Sequence, residues 1–348
     1  MSPAEVAEAV GGLALIAVVL ADVFRSVVLP RPSPRTLRFG PWIGILAMRG
    51  VLRWTRRWPA ARRHDLLGAL GPLLLVLELL IWVAMLILGF GLILDGLRDS
   101  MKPAGGLGDA AYVAVSALLT LGLPSGFEAN GPARTVVGIA ALAGLGVVTL
   151  TVTFLLAIQG GLTQREALVL RLRARTGARP SGLAILVAHA RLGDEHPPAL
   201  VEFFGEWEAW SSAVLLTHRA FPILCYFRST DADCEWLAAL GAVLDAAALL
   251  AALGAEGTTE HATLCHRVGA RLVADLARQF KLRPSWNPEL DEPAFRAAAA
   301  RLRAAGFGAR VDPEASWQRF SDLRSRHAPP LGALCDRFAI EPPRWGAA

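Results

Sequence analysis

Five consecutive residues, Thr120-Leu121-Gly122-Leu123-Pro124, carry the strongest hint of chemistry in this chain. None is acidic, basic or strongly nucleophilic, so the string offers no acid–base set. It offers backbone: a non-helical return after a short apolar run, with a glycine that makes unusual backbone angles accessible. Other candidates are charges inside apolar runs, namely Asp22, Arg25 and Glu78. Such charges are costly in a bilayer unless they are paired or face water. Asp22 and Arg25 are three apart and share a helix face, so they can pair, and Arg25 can also reach the inner interface. Glu78 either serves function or pairs with a neighbouring helix. Thr149 and Thr153 are four apart on one face. Their hydroxyls can look into a water-filled cavity or bond back to the preceding turn. Glu128 reads as a solvated loop residue.

Enzyme chemistry finds less support. The cysteines Cys225, Cys234, Cys265 and Cys335 form no CxxC pair. Cys265 and His266, with His261 nearby, fit no zinc spacing, so the expectation is buried thiols and no metal. There is no Walker motif, no HExxH and no GxSxG, and no GxGxxG that follows a strand. The chain is therefore expected not to be an enzyme and to need no cofactor.

The elements that position these residues follow from composition. Of 348 residues, 54% are hydrophobic and only 19% charged, against about 25% charged in a typical soluble domain. This excludes a disordered chain or a small disulfide scaffold and indicates a membrane protein in contact with a lipid bilayer. The net charge of +5 is a topology signal rather than a nucleic-acid footprint, because nine arginines cluster between Arg31 and Arg63 in one linker. No nucleic-acid partner is expected.

Three spans are expected, at about 9–29, 66–94 and 135–158. The 30–66 linker is basic and lies inside. It begins with the non-helical PRPSPR and continues as FGPWIGILAMRGVLRW, a helix too short to cross that is expected in the interface. Connector 95–134 is mildly acidic and lies outside. Within it, Asp109 is a reasonable N-cap for a helix over Ala110–Leu119, which is again too short to span. A short apolar helix followed by Thr120–Pro124 reads as a re-entrant loop, tolerated at depth only if buried in protein or lining a water path.

At this point the chain resembles the pore-loop potassium channel superfamily. Tyr112, Ser116, Leu119, Thr120, Leu121, Gly122 and Leu123 stand in order along the family's pore template, and GPARTVVGIAALAGLGVVTLTVTFLLAI is similar to an inner helix. The resemblance covers about residues 67–160. It implies an outer helix, pore helix, selectivity filter and inner helix, with Thr120–Pro124 as the filter, Thr149 and Thr153 lining the pore and Glu128 at the outer vestibule. Asp22, Arg25 and Glu78 are then candidate gating charges. It also implies potassium ions in the filter, passive conduction of monovalent cations and assembly as a homotetramer in the plasma membrane. Pro124 stands where the family has its second filter glycine, and Ser125 where it has aspartate. Proline lacks an N–H and fixes φ, so Thr120, Leu121 and Gly122 are the residues left to form inner ion sites. Potassium-preferring conduction, less selective cation conduction and a non-conducting scaffold all stay open.

The expected architecture is an all-α membrane protein. Residues 1–66 are an N-terminal span with its linker, 67–160 a pore domain, and 161–348 a cytoplasmic helical domain. The apolar run 235–254 reads as a buried soluble helix, given Asp245 at its centre and its alanine content, and NPELDEPAFRAAAARLRAAGFG as another helix. His218, Arg219, Tyr226 and Arg228 around Pro222 read either as a ligand site or as a helix-joining loop with surface charges.

Overall fold

A computed structural model describes residues 2–28, 39–103, 105–177, 179–191, 196–254, 257–284, 292–307 and 312–345. The PRPSPR segment with Arg31, Arg35 and Arg38, and the NPEL start of the later helix, lie outside the described residues. Those described are almost entirely helical: α1 (Pro3–Val23), α2 (Phe39–Trp54), α3 (Ala60–Gly96), α4 (Leu107–Leu118), α5 (Gly131–Thr176), α6 (Gly182–Ala190), α7 (His196–Ala220), α8 (Trp236–Leu253), α9 (Thr259–Gln279), α10 (Glu292–Ala304) and α11 (Pro313–Phe338). One two-stranded ribbon joins β1 (Met101–Lys102) to β2 (Glu128–Ala129), antiparallel, with Met101 opposite Ala129. Four helices are long and apolar enough to cross a membrane: α1, α3, α5 and α8. Such a set makes this a multi-pass membrane protein.

The chain divides into two compact units, 1–49 with 72–159, and 50–71 with 160–348. In the first unit, α1 starts on a capping box. Ser2 Oγ accepts from the Glu5 N–H while Glu5 Oε2 accepts from the Ser2 N–H, which satisfies two orphan donors of the first turn. The helix ends in a π-helical turn, Phe24–Val28, that carries Arg25. Gly12, Ile16, Val19, Asp22 and Val23 form its buried face, and small residues let it lie close to α3. A Cβ on Gly12 would run into the Gly89 carbonyl, and one on Gly89 would come within 2.7 Å of Ile16 Cγ1. Close approach through glycine is how membrane helices gain packing where lipid supplies no hydrophobic drive. Trp82, Leu86, Phe90 and Leu94 of α3 complete a cluster that takes in Val113, Ala114, Ala117 and Leu118 of α4 and Ala133, Ala140 and Val147 of α5.

Helix boundaries differ from the apolar runs, because a helix does not stop where hydropathy does. Helix α3 runs from Ala60 through Pro72 to Gly96, and α5 continues unbroken from Gly131 to Thr176. Helix α4 begins at Leu107 with Gly106 as N-cap, not at Ala110 with Asp109 as cap. Asp109 lies in the first turn, where its carboxylate complements the positive helix end, and its side chain folds against Gly105.

The second unit is a helical bundle around α8, which α6, α9 and α11 flank. Glycines again set the distance. A Cβ on Gly182 of α6 would come within 2.7 Å of the Ala246 nitrogen, one on Gly269 of α9 would meet Leu244 at 2.5 Å, and one on Gly241 of α8 would meet Leu331 of α11 at 2.5 Å. Length and composition alone qualify α8 as a span, yet 94% of its window is buried by protein. Its apolar surface is thus covered by its own chain, as the sequence reading anticipated. The later helix, with its acidic and proline start, is α10.

Candidate functional site

The string Thr120–Pro124 is built from the C-terminus of α4. Leu121 N–H donates to the Ser116 carbonyl at 2.8 Å, and Thr120 N–H to Ala117 at 3.0 Å. This is a Schellman closure, whose first residue past the cap takes the left-handed conformation and is usually glycine. Here it is Thr120, at φ +55°. A β-branched residue in that region costs about 1–2 kcal/mol. Gly122 follows at φ +87°, and Leu121 between them is not among the positive-φ residues, so the sign of φ alternates over three residues. Alternating handedness brings neighbouring main-chain polar groups to one side of the chain.

Beyond Gly122 the backbone changes. Phe127 N–H donates to the Pro124 carbonyl at 3.1 Å, and Gly126 at φ +86° supplies the left-handed corner of this turn. The Phe127 ring meets Tyr112 of α4 edge-on, with centroids 6.3 Å apart. The ribbon and an Asn130 N–H bond to the Ser100 carbonyl, 2.9 Å, then tie the return to the segment before α4. Thr120, Leu121, Gly122 and Leu123 are exposed, whereas Pro124 is half-buried. The loop thus presents its first four residues outward from a base pinned at both ends.

Two close approaches hold α4 beneath the loop. On one side, a Cβ on Gly91 of α3 would lie 3.3 Å from Ala111 Cα. On the other, a Cβ on Gly144 of α5 would overlap the Leu118 carbonyl and come within 2.8 Å of Leu118 Cα. Leu118 is the last residue of α4, so Gly144 sets the height of the turn that starts at Thr120.

The remaining sequence candidates are spread through the same unit. Glu128 is exposed at β2. Thr149 and Thr153 are exposed on α5, with hydroxyls donating to the Leu145 and Thr149 carbonyls at 2.9 and 3.1 Å. They therefore bond back to the preceding turn, one of the two arrangements open from sequence, and do so without leaving the exposed face. Glu78 is buried on α3. Asp22 is buried and accepts from Trp82 Nε1 at 2.9 Å, a bond between α1 and α3 that residue spacing cannot reveal. Arg25 is half-buried.

Sequence reasoning missed the main polar network of the second unit, centred on Arg165 of α5. This guanidinium is fully buried. Nη1 donates to the Leu224 carbonyl (3.1 Å) and Nη2 to Phe227 (3.0 Å), while Nη2 also pairs with Glu166 at 2.8 Å. The group stacks 5.1 Å above the Trp236 ring. Its partners cap α8 in turn. Ser229 donates to Glu166 and accepts from the Trp236 N–H at 2.9 Å, and Glu235 accepts from the Ser229 N–H and from Arg228. Burial raises the Glu235 carboxyl above its usual range. Burial also lowers Arg228, with Arg63 adding a like charge. His218 is thus a buried structural group and Arg228 a largely covered one, rather than surface charges. The signal available was an Arg-Glu pair directly after an uncharged run.

A second buried chain joins three helices. His266 Nε2 and His327 Nδ1 are 3.0 Å apart, His327 Nε2 lies 3.1 Å from Asp245 Oδ1, and Arg324 pairs with the same oxygen at 3.3 Å. A carboxylate acceptor fixes His327 with its proton on Nε2, so His266 donates to Nδ1. Burial, and then the neighbouring His327, push His266 down to about 3. Asp245 is charged inside the apolar helix because His327 and Arg324 outweigh its burial. All four cysteines are free and buried, and burial raises every thiol, Cys234 to about 11 and Cys225 and Cys335 to about 12. Among the described residues no cluster of three or more His, Cys, Asp or Glu side chains is placed to hold a metal ion.

No family model, no curated protein and no solved structure matches this chain.

Proposed function

We propose that this chain is one subunit of a tetrameric pore-loop channel that passes monovalent cations, potassium among them, through a filter of main-chain carbonyls at Thr120–Leu123. The observation that carries this reading is the left-handed Thr120. A β-branched residue is kept where glycine would be relaxed, at the start of an exposed, alternating loop between two spans. Strain of this kind persists where the surrounding structure enforces it, and it clusters at functional sites. Among the described residues there is one such loop, so four copies are needed to enclose an axis. On this reading potassium ions are the bound species, Glu128 lies at the outer mouth, and Thr149 and Thr153 lie along the inner helix. The protein sits in the plasma membrane with the 161–348 region in the cytoplasm.

A second reading is a non-conducting relative that uses the helical unit as a membrane-anchored sensor or scaffold. Pro124 favours it, since this residue ends the alternation and leads into a closed turn. Purified protein in liposomes with opposed potassium and sodium gradients separates the two. Monovalent cation flux from a verified tetramer is the expected result. No flux under several gating conditions would leave the scaffold reading standing.

A further inference from the structure

The second unit holds a cavity of about 520 Å³ with no part in the pore reading, lined at one end by Trp58, Arg63 and His64. This volume lies within the range of small-ligand sites, about 300–1,000 Å³. Four arginines face three carboxylates around it: Arg63, Arg179, Arg228 and Arg344 against Asp233, Glu235 and Glu341. The carboxylates are already engaged. Glu235 takes Arg228 at 2.8 Å, and Asp233 and Glu341 share Arg179 at 3.3 and 3.4 Å. No ion pair among the described residues involves Arg63 or Arg344.

The wall is also short of acceptors. Arg228 is 90% buried at its side chain and spends its two Nη groups on Glu235 and the Ala339 carbonyl. Its Nε, and that of Arg63, are buried with no hydrogen-bond partner among the described residues. Buried guanidinium donors without acceptors are rare in folded proteins and point to an absent anion or water. The ligand chemistry follows from the donors. Several guanidiniums around a compact space suit a group that accepts on several oxygens at once, and phosphate does so with forked geometry. Arg63 and His64 lie in the first turns of α3, where the apolar span starts at Arg62, and Trp58 is of the type enriched at membrane interfaces.

We infer that this cavity binds a phosphate ester, with Arg63 and Arg344 as the uncommitted cations that hold it. The same chemistry is offered by the headgroup of an anionic phospholipid and by a soluble sugar or glycerol phosphate. The inference is independent of whether the pore conducts.

The test uses the full chain in detergent. Glycerol 3-phosphate and inorganic phosphate are titrated by calorimetry, and short-chain phosphatidylglycerol and phosphatidylcholine are compared by native mass spectrometry. Saturable binding of phosphatidylglycerol over phosphatidylcholine identifies the lipid source, and binding of glycerol 3-phosphate identifies the soluble one. Either supports the site, provided that Arg63→Gln and Arg344→Gln each weaken it tenfold or more. Arg344 is exposed, so its variant keeps the fold, which an unchanged melting temperature verifies. Binding that is unchanged in both variants, or no binding of any of the phosphate probes, overturns the inference.

Discussion

The contact between Gly144 and the end of α4 makes the sharpest claim about how the loop is positioned. Replacing Gly144 by alanine adds one methyl group, which overlaps the Leu118 carbonyl and approaches Leu118 Cα at 2.8 Å. The obstacle is main chain, not the flexible tip of a side chain, so relief requires α4 or α5 to shift. Overpacking of this kind costs about 1–3 kcal/mol. The same helix supplies controls. Gly138 and Gly146 have open space where a Cβ would go, and alanine in a helix interior is favoured over glycine by about 1 kcal/mol. Gly138→Ala and Gly146→Ala should therefore be neutral or slightly stabilising, whereas Gly144→Ala should destabilise. The assay is reversible unfolding in mixed micelles by titrated denaturing detergent, read by circular dichroism, with liposome cation flux as a second readout. Gly144→Ala is expected to lose at least 1 kcal/mol against Gly146→Ala and, on the proposed reading, to lose flux by displacing Thr120. Equal stability of the two variants would refute the close approach, and with it the claim that Gly144 sets the height of the loop.

Three further outcomes test other parts of the argument. Thr120→Gly relaxes the left-handed cap and should raise stability by about 1 kcal/mol while reducing flux; a destabilised variant in the same unfolding assay would show that Thr120 is not strained. Arg165→Met removes a buried charge but also the cation that pairs with Glu166 and the guanidinium donors to the carbonyls of Leu224 and Phe227, and should cost about 3–5 kcal/mol. Arg165→Lys, which cannot serve both carbonyls and stack on Trp236, should recover only part of this in thermal unfolding. The pH dependence of stability follows from His266, which is held down to about 3. The unfolded chain takes up this proton near 6.5 and the folded chain does not, so stability is full above pH 6.5 and falls as pH drops towards 3. Over pH 6.5 to 5 the loss is about 2 kcal/mol; fully buried His218, also lowered, adds to it. His266→Gln should flatten the slope in denaturant titrations at those two pH values.

Much of the first unit was legible because lipid imposes a simple code. Runs of about 20 apolar residues and one run too short to cross name the long apolar helices α1, α3 and α5 and the short α4 before any packing is known. What stayed illegible depends on distance between helices. Asp22 finds Trp82 across sixty residues of sequence, and Gly144 is indistinguishable from Gly138 and Gly146 until α4 is placed beside one of them. The second unit was harder, since its chemistry is satisfied by main-chain carbonyls. Arg165 reads as one more basic residue after a span, although it is the most heavily bonded guanidinium described. Asp245 was legible as a mark of a helix buried in protein, but its partners His327 and Arg324 come from α11 and had no signature in spacing. Helix α8 shows the limit of hydropathy: a helix enclosed by protein and one enclosed by lipid have the same composition.

On the proposed reading, the alternation of φ along the loop bears directly on selectivity. Thr120 and Gly122 are left-handed, Leu121 and Leu123 are not, and the next left-handed position in the series is 124. Proline cannot occupy it, because its ring holds φ near −65°. The alternation of handedness therefore stops before Pro124, and on the proposed reading the filter offers fewer dehydrating sites than a longer series would. Pro124→Gly restores the missing freedom at that position. If one added ring of carbonyls favours potassium over sodium by about 1 kcal/mol, the permeability ratio rises about fivefold. Bi-ionic liposome flux or planar-bilayer reversal potentials measure it. A ratio unchanged in a Pro124→Gly protein that still folds and conducts would show that the backbone beyond Leu123 does not set ion preference. The alternation at Thr120–Gly122 would then be a consequence of capping α4 rather than the start of a filter.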